Sequence, residues 1–177
     1  MVFSCVGNKS AKTDEAQKTD NQKILVAYFS ATGTTRAVAE QLAEALGADL
    51  YEIAPEEAYT ADDLNWRDSL SRSSVEMRDT SSRPAVKGTV ENIDQYDTVY
   101  IGYPIWWNLA PTVINTFIES NDLTDKMLVA FATSGGSDIG NSWLALRAAY
   151  SNLKWAEAAL LLNDIDPDQI KALKKQQ

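Results

Sequence analysis

The chain has 177 residues, a formal net charge of −9, no histidine and one cysteine, Cys5. This length is typical of a single domain. The absence of histidine excludes Ser–His and Cys–His nucleophilic catalysis, and with only one cysteine it also excludes the usual zinc sites. The acidic balance argues against nucleic acid as a partner, because phosphate backbones require clusters of Lys and Arg. No apolar run reaches the roughly 18 residues that a membrane-spanning helix needs.

Residues 1–22 are polar and lack helical or strand periodicity, so we expect a disordered tail. Ser4-Cys5, followed by a polar stretch, is similar to the end of a bacterial lipoprotein signal. The charged and apolar regions of such a signal do not precede Cys5. Two interpretations stay open. Either a lipid on Cys5 tethers the protein to a membrane, or the segment is a flexible tail with an ordinary thiol on a cytoplasmic protein.

From residue 23 onward, apolar strands alternate with amphipathic helices. The pattern predicts strands at 23–29, 49–53, 98–102, 127–132 and 156–162. It predicts helices that end at Gly47, that span 62–78 after a Thr60 cap, that span 111–118 and 139–153, and that begin at Asp166. Such alternation implies right-handed βαβ units. We therefore predict one α/β domain over residues 23–177, with a doubly wound five-stranded parallel sheet of order 2-1-3-4-5.

Ligands of such a sheet bind at the carboxyl ends of its central strands, and the loops there are unusual in composition. Residues 30–35 (SATGTT) combine four hydroxyl side chains with Gly33 and open a helix. A helix N-terminus offers unpaired N–H groups and partial positive charge to a phosphate, and glycine allows close backbone approach. The loop is neither a Walker loop nor a Gly-x-Gly-x-x-Gly motif. We interpret it as a phosphate site, with an ordinary capped turn as the alternative.

The loop at 102–111 contains two adjacent indoles, Trp106 and Trp107, which are costly to expose. Adjacent side chains rarely point the same way, so we expect one to pack inward and one to face outward, where a flat conjugated ring of a ligand would stack on it. The alternative is a pair of core anchors. The loop at 133–141 (TSGGSDIGN) offers backbone groups that suit the polar edge of such a ring, although a flexible turn explains its composition nearly as well.

With these three loops in this order, residues 23–174 resemble the flavodoxin family. In that family the Ser-x-Thr-Gly-x-Thr loop holds the phosphate of flavin mononucleotide (FMN), the Tyr-Pro-Ile-Trp-Trp loop packs on the flavin, and the Thr-Ser-Gly-Gly loop meets its pyrimidine edge. The resemblance implies FMN as the cofactor, with no metal and no catalytic side chain. The residues that it implies as cofactor contacts are Ser30, Ala31, Thr32, Gly33, Thr34, Thr35, Pro104, Ile105, Trp106, Trp107, Asn108, Thr133, Ser134, Gly135, Gly136 and Gly140.

Two positions depart from the pattern of many flavodoxins. The loop after strand 4 has no aromatic residue to cover the second face of the flavin. That face is therefore open to a substrate, or it is covered by residues of the 54–97 stretch such as Trp66. In the loop after strand 3, Asn108 is the nearest counterpart of a glycine that many members have, and asparagine tolerates the left-handed region only moderately.

The resemblance implies a protein that shuttles electrons. The net charge of −9 and the absence of lysine from the three loops should disfavour the anionic reduced flavin. We therefore expect a low potential and a redox partner with a basic docking face. Two alternatives stay open: an FMN-dependent NAD(P)H or quinone oxidoreductase that works at an open flavin face, and a flavodoxin-shaped binding module without redox activity.

Overall fold

The fold is a parallel sheet with helices on both faces. The computed structural model describes residues 22–163, so the polar tail and the helix predicted from Asp166 lie outside the described residues. The strands are β1 (Ile24–Tyr28), β2 (Asp49–Glu52), β3 (Thr98–Pro104), β4 (Met127–Thr133), β5 (Lys154–Trp155) and β6 (Leu160–Leu161). Their order is β2-β1-β3-β4-β5, every pairing is parallel, and β6 also pairs with β4. The predicted sheet order is confirmed.

The fifth strand position differs from the prediction of one strand over 156–162. The chain pairs with β4 in two short pieces, and the N–H groups of Ala156 and Leu162 donate to the carbonyls of Leu128 and Ala132 at 2.8 Å each. Between the pieces lie the exposed residues Glu157 and Ala158. These residue types have low strand propensity, and an edge strand is not held from its outer side.

Alternating side chains of β1 and of the residue that follows it pack into two separate hydrophobic cores. Leu25, Ala27 and Phe29 belong to one cluster, which contains residues of α3 (Thr112–Ser120) and α4 (Gly140–Ala149). Ile24, Val26 and Tyr28 belong to a second cluster, which contains Val38 and Leu42 of α1 (Thr34–Leu46). The period-2 alternation of a strand sends neighbouring side chains to opposite faces. β1 is therefore buried on both sides, as its continuous apolar run predicts.

The helix predicted over 62–78 is wrong in its first half. Only α2 (Arg72–Arg78) is helical, and residues 61–70 form successive turns. Thr60 caps the first turn, where its Oγ1 accepts from Asp63 N at 3.2 Å. The side chains of Asn65 and Asp68 accept bonds from backbone N–H groups two residues later. Such local bonds compete with helix formation.

The remaining helix bounds differ from the predictions by a few residues. Pro111 is the N-cap of α3 rather than a residue of its first turn. α4 ends at Ala149 instead of residue 153, because the chain turns at Tyr150, whose carbonyl accepts from Leu153 N at 3.1 Å and from Trp155 Nε1 at 3.1 Å. Within residues 22–163, no helix combines the length and apolar character needed to cross a membrane.

Candidate functional site

The hydroxyl-rich loop turns directly from β1 into α1. Gly33 takes the left-handed conformation, with φ at 94°, and its N–H donates to Ser30 Oγ at 3.0 Å. Thr32 and Thr34 are exposed. No side chain in the described part of the molecule caps α1 at Gly33, so the N–H groups of its first turn remain open to a ligand. This arrangement suits an anion, because it offers amides and hydroxyls without a carboxylate.

A buried hydroxyl pair connects this loop to the loop after β4. Thr35 Oγ1 and Thr133 Oγ1 lie 2.8 Å apart, and both residues are almost fully buried. The carbonyl of Thr133 also accepts from Ile105 N at 2.9 Å, in the loop after β3. Thr133 therefore joins the three loops at the carboxyl edge of the sheet, although it lies below the surface.

The loop after β3 is a tight hairpin turn that separates the two tryptophans. The N–H of Trp106 donates to the carbonyl of Leu109 at 3.0 Å, and the reverse bond is 2.8 Å long. Trp107 and Asn108 between them have φ of 47° and 64°, as in a type I′ turn. Asparagine tolerates this conformation moderately, whereas a bulky residue such as Trp107 adopts it rarely, and such strain clusters at functional sites.

Trp106 packs inward and Trp107 faces outward, as expected for the adjacent pair. The ring of Trp106 meets Phe29 and Tyr59 edge-on, with centroid distances of 5.6 Å and 5.3 Å. Trp107 is 47% exposed. The guanidinium of Arg72 lies over the Tyr59 ring, 4.0 Å from its centroid. Burial, and then the hydrogen bond that Tyr59 donates to Glu76, raises the pKa of Tyr59. Tyr59 is therefore a neutral support for Trp106.

A cavity of about 410 Å³ brings two of the three predicted loops together. Its walls also include three residues from the irregular 54–97 stretch, of which the sequence indicated only Trp66. The lining residues are Ala31, Thr32, Thr35, Leu64, Trp66, Ser73, Pro104, Ile105, Trp106 and Trp107. Leu64 and Ser73 gave no signal of their own in the sequence, since an isolated apolar or hydroxyl residue among turn formers is common.

The loop after β4 does not line this cavity at Ser134, Gly135, Gly136 or Gly140. Ser134 instead organises a local turn, because its Oγ accepts from the N–H groups of Gly136 and Ser137 at 3.1 and 2.7 Å. The N–H of Gly140 donates to Asp138 at 2.6 Å. Contact between these residues and a flavin edge therefore stays a prediction.

The cations near the cavity are mostly neutralised. Arg36, which follows the hydroxyl-rich loop, forms an ion pair with Glu52. Arg72 pairs with Glu76 at 2.7 Å. Arg67 is different, because its guanidinium lies 4.8 Å over the Trp66 ring and it takes part in no ion pair within the described residues. In residues 22–163 no cluster of three or more acidic or cysteine side chains could hold a metal ion.

A doubly wound parallel sheet with an uncapped, hydroxyl-rich helix N-terminus and an aromatic cavity at its carboxyl edge is typical of nucleotide- and cofactor-binding α/β proteins. Comparison with known families narrows this class. The family model described as flavodoxin matches residues 23–176. The chain therefore belongs to the flavodoxin family.

Solved structures with the same fold include close relatives. A candidate flavoprotein from Bacteroides eggerthii is 56% identical, with a TM-score of 0.85 over 88% of this chain and 98% of that one. A second, from Bacteroides uniformis, is 51% identical, with a TM-score of 0.82 over 87% and 98%. A flavoprotein from Lactobacillus acidophilus in complex with FMN is 20% identical, with a TM-score of 0.67 over 85% and 99%. The search of curated proteins found no match.

Proposed function

We propose that this protein binds FMN in the 410 Å³ cavity and carries electrons between redox partners. One observation carries the proposal: a hydroxyl-rich helix N-terminus and a strained Trp-Asn hairpin border the same cavity. FMN is the cofactor of the flavodoxin family, to which the chain belongs. The distant flavoprotein from Lactobacillus acidophilus, which shares the fold, binds it as well.

The residues present fit the two chemically different ends of FMN. For the phosphate, the loop at 30–35 supplies hydroxyls and free amides, and a Cβ built on Gly33 would meet no atom within 4 Å. That space leaves room for an anion beside the backbone. For the flavin ring, Pro104, Ile105, Trp106 and Trp107 supply apolar and aromatic surface in the cavity. Aromatic surface of this kind favours a flat conjugated ring.

FMN supplies one- and two-electron chemistry when it is bound, and the protein supplies binding and electrostatics. Ser30 holds the Gly33 amide at 3.0 Å and so presets the turn of the phosphate loop. Thr35 and Thr133 fix this loop against the loop after β4. Phe29 and Tyr59 pack edge-on against Trp106 and fix the position of its ring. These contacts preorganise the cavity, which lowers the entropy that binding must overcome.

The net charge of the chain and the ion pairs near the cavity support the proposal that the protein donates electrons at a low potential. The chain carries a net charge of −9, and within residues 22–163 the ion pairs of Arg36 and Arg72 neutralise two of the arginines near the cavity, while Arg67 is not in an ion pair. A negative surrounding disfavours reduction of the flavin to an anion. It also favours docking of a partner with a basic face. A lipid on Cys5, if present, would confine this exchange to a membrane surface.

A second candidate is an FMN-dependent oxidoreductase that accepts hydride from NAD(P)H and passes it to a quinone. One observation favours it: the loop at 133–141 contains no aromatic residue, and none of its residues, Thr133 included, lines the cavity. A flavin face with few protein neighbours is accessible to a substrate. The exposed Trp66 is the residue that decides how open this face is.

The experiment separates these functions with one reconstituted protein. FMN is added to the purified protein, excess flavin is removed, and the flavin is reduced by light under anaerobic conditions with EDTA as the sacrificial electron donor. We expect a bound-flavin spectrum and rapid electron transfer to cytochrome c, a basic one-electron acceptor, at a rate that falls as salt is added.

Three outcomes would contradict the proposal. Steady-state oxidation of NADH or NADPH with a quinone, faster than with free FMN, would favour the oxidoreductase. A cytochrome rate that is independent of salt would remove the argument for a basic partner. A protein that takes up no FMN would be a binding module of another kind.

A further inference from the structure

We propose that Trp66 forms the outer wall of the flavin site, so that the ring is held between Trp66 and the Trp106–Trp107 hairpin. This inference rests on the proposed function, because it presupposes flavin binding. The loop after β4 has no aromatic residue that could cover the second face of the flavin. We assign this role to the 60–73 segment.

The first argument is the composition of the cavity. Trp66 and Leu64 line the same 410 Å³ space as Trp106 and Trp107. The loop at 133–141 contains no aromatic residue, and Ser134 and its neighbouring glycines do not line the cavity. Among the described residues, Trp66 is therefore the aromatic group that the cavity offers outside the hairpin.

The second argument is that the segment is anchored at its base. Ser73, which lines the cavity, bonds twice to the carbonyl of Asp63, from its N–H at 3.0 Å and from its Oγ at 2.6 Å. Thr60 bonds the Asp63 carboxylate through its N–H and Oγ1 at 2.8 and 2.7 Å. These bonds hold the ends of the segment, so the turns that carry Trp66 keep a defined position beside the cavity.

The third argument is the exposure of Trp66 itself. The indole is 66% exposed, which is unusual for so large an apolar group. Arg67 covers it from one side, with the guanidinium 4.8 Å from the ring centroid. A flavin in the cavity would bury the indole further, and a ring stacked between a flavin and a guanidinium would gain from both contacts.

Arg67 adds an electrostatic consequence. It takes part in no ion pair within residues 22–163, so its charge is available to the flavin site through the Trp66 stack. A cation near the ring favours the anionic reduced flavin and raises the potential. Arg67 therefore opposes the effect of the acidic surface.

The test is a titration of the full chain with FMN and, separately, with riboflavin. Binding is monitored by flavin fluorescence and by visible circular dichroism. Trp66→Ala should weaken both ligands by about tenfold, which is typical for the loss of one aromatic stack. It should also change the visible dichroism of the bound ring. Trp66→Phe should restore most of the affinity. Leu70→Ala is the matched control, since Leu70 is 80% exposed in the same segment and does not line the cavity.

Arg67→Gln should leave the affinity for oxidised FMN within about twofold, because only one exposed contact is lost, and should make the midpoint potential more negative. If Trp66→Ala binds FMN with wild-type affinity and an unchanged dichroism, the inference is wrong while the proposed function stands. If the wild-type protein binds neither FMN nor riboflavin, both fail. Because Trp66 is exposed, Trp66→Ala should fold, and its far-ultraviolet dichroism checks this.

Discussion

Replacing Thr35 by valine removes one hydroxyl from the pair that joins the phosphate loop to the loop after β4. The two Oγ1 atoms lie 2.8 Å apart, and Thr35 and Thr133 are 1% and 3% exposed. Valine keeps the shape of the side chain but leaves the Thr133 hydroxyl buried without this partner. The substitution therefore measures what the connection between the loops contributes to the free energy of unfolding.

A buried polar group that loses its partner costs about 1–3 kcal/mol. Urea slopes for domains of this kind are about 1–3 kcal/mol per molar. With a slope of about 2 kcal/mol per molar, in the middle of this range, the unfolding midpoint of Thr35→Val should therefore fall by about 0.5–1.5 M urea, with an unchanged slope. The double variant with Thr133→Val removes both hydroxyls and should recover most of this loss, because no unpaired group remains.

Thr112→Val is the matched control. Thr112 is also a nearly fully buried threonine, but its Oγ1 has no hydrogen-bond partner among the described residues. Replacing Thr112 by valine should leave the free energy of unfolding unchanged or raise it, since burial of an unpaired hydroxyl is itself unfavourable. If Thr35→Val and Thr112→Val shift the midpoint equally, or if the double variant is no more stable than Thr35→Val, the hydroxyl pair does not couple the loops.

Three further substitutions or measurements test other parts of the molecule. Gly33→Ala should lower the free energy of unfolding by about 1–2 kcal/mol and weaken FMN binding, because the left-handed backbone at Gly33 disfavours a side chain. Urea unfolding measures the first effect and flavin titration the second. Arg83 holds the pKa of Glu119 below its ordinary value, so this pair stabilises fully above about pH 4.3 and is lost as pH falls. Glu119→Gln should therefore flatten the fall in unfolding free energy between about pH 5 and 3, and an equally steep fall would contradict the assignment. Mass spectrometry of the native protein should show either a lipid on Cys5 or, against the tether, an unmodified thiol.

The sequence predicts the parts of this fold that local patterns determine. The continuous apolar run of β1 indicates a strand buried on both faces, and the hydroxyl-rich loop after it marks the start of α1. The separation of Trp106 from Trp107 follows from the rule that adjacent side chains diverge. These features depend on residues close together in the chain.

The features that the sequence does not predict depend on distant contacts or on competing local bonds. The turns at 61–70 replace a helix because Asn65 and Asp68 bond their own backbone. The place of Leu64 and Ser73 in the cavity wall depends on how this segment packs beside the loops after β1 and β3. The interruption of the edge strand at Glu157 reflects the lack of a neighbour on its outer side.

The central claim is that the loop at 30–35 holds the phosphate of FMN. The measurement that tests it most directly is the ratio of the dissociation constants of riboflavin and FMN for the same protein at the same salt concentration. The two ligands share the flavin ring and differ in the phosphate. We predict that FMN binds about a hundredfold tighter or more, because several hydrogen bonds to a charged group are gained. Equal affinities for the two ligands would show that the loop does not bind the phosphate.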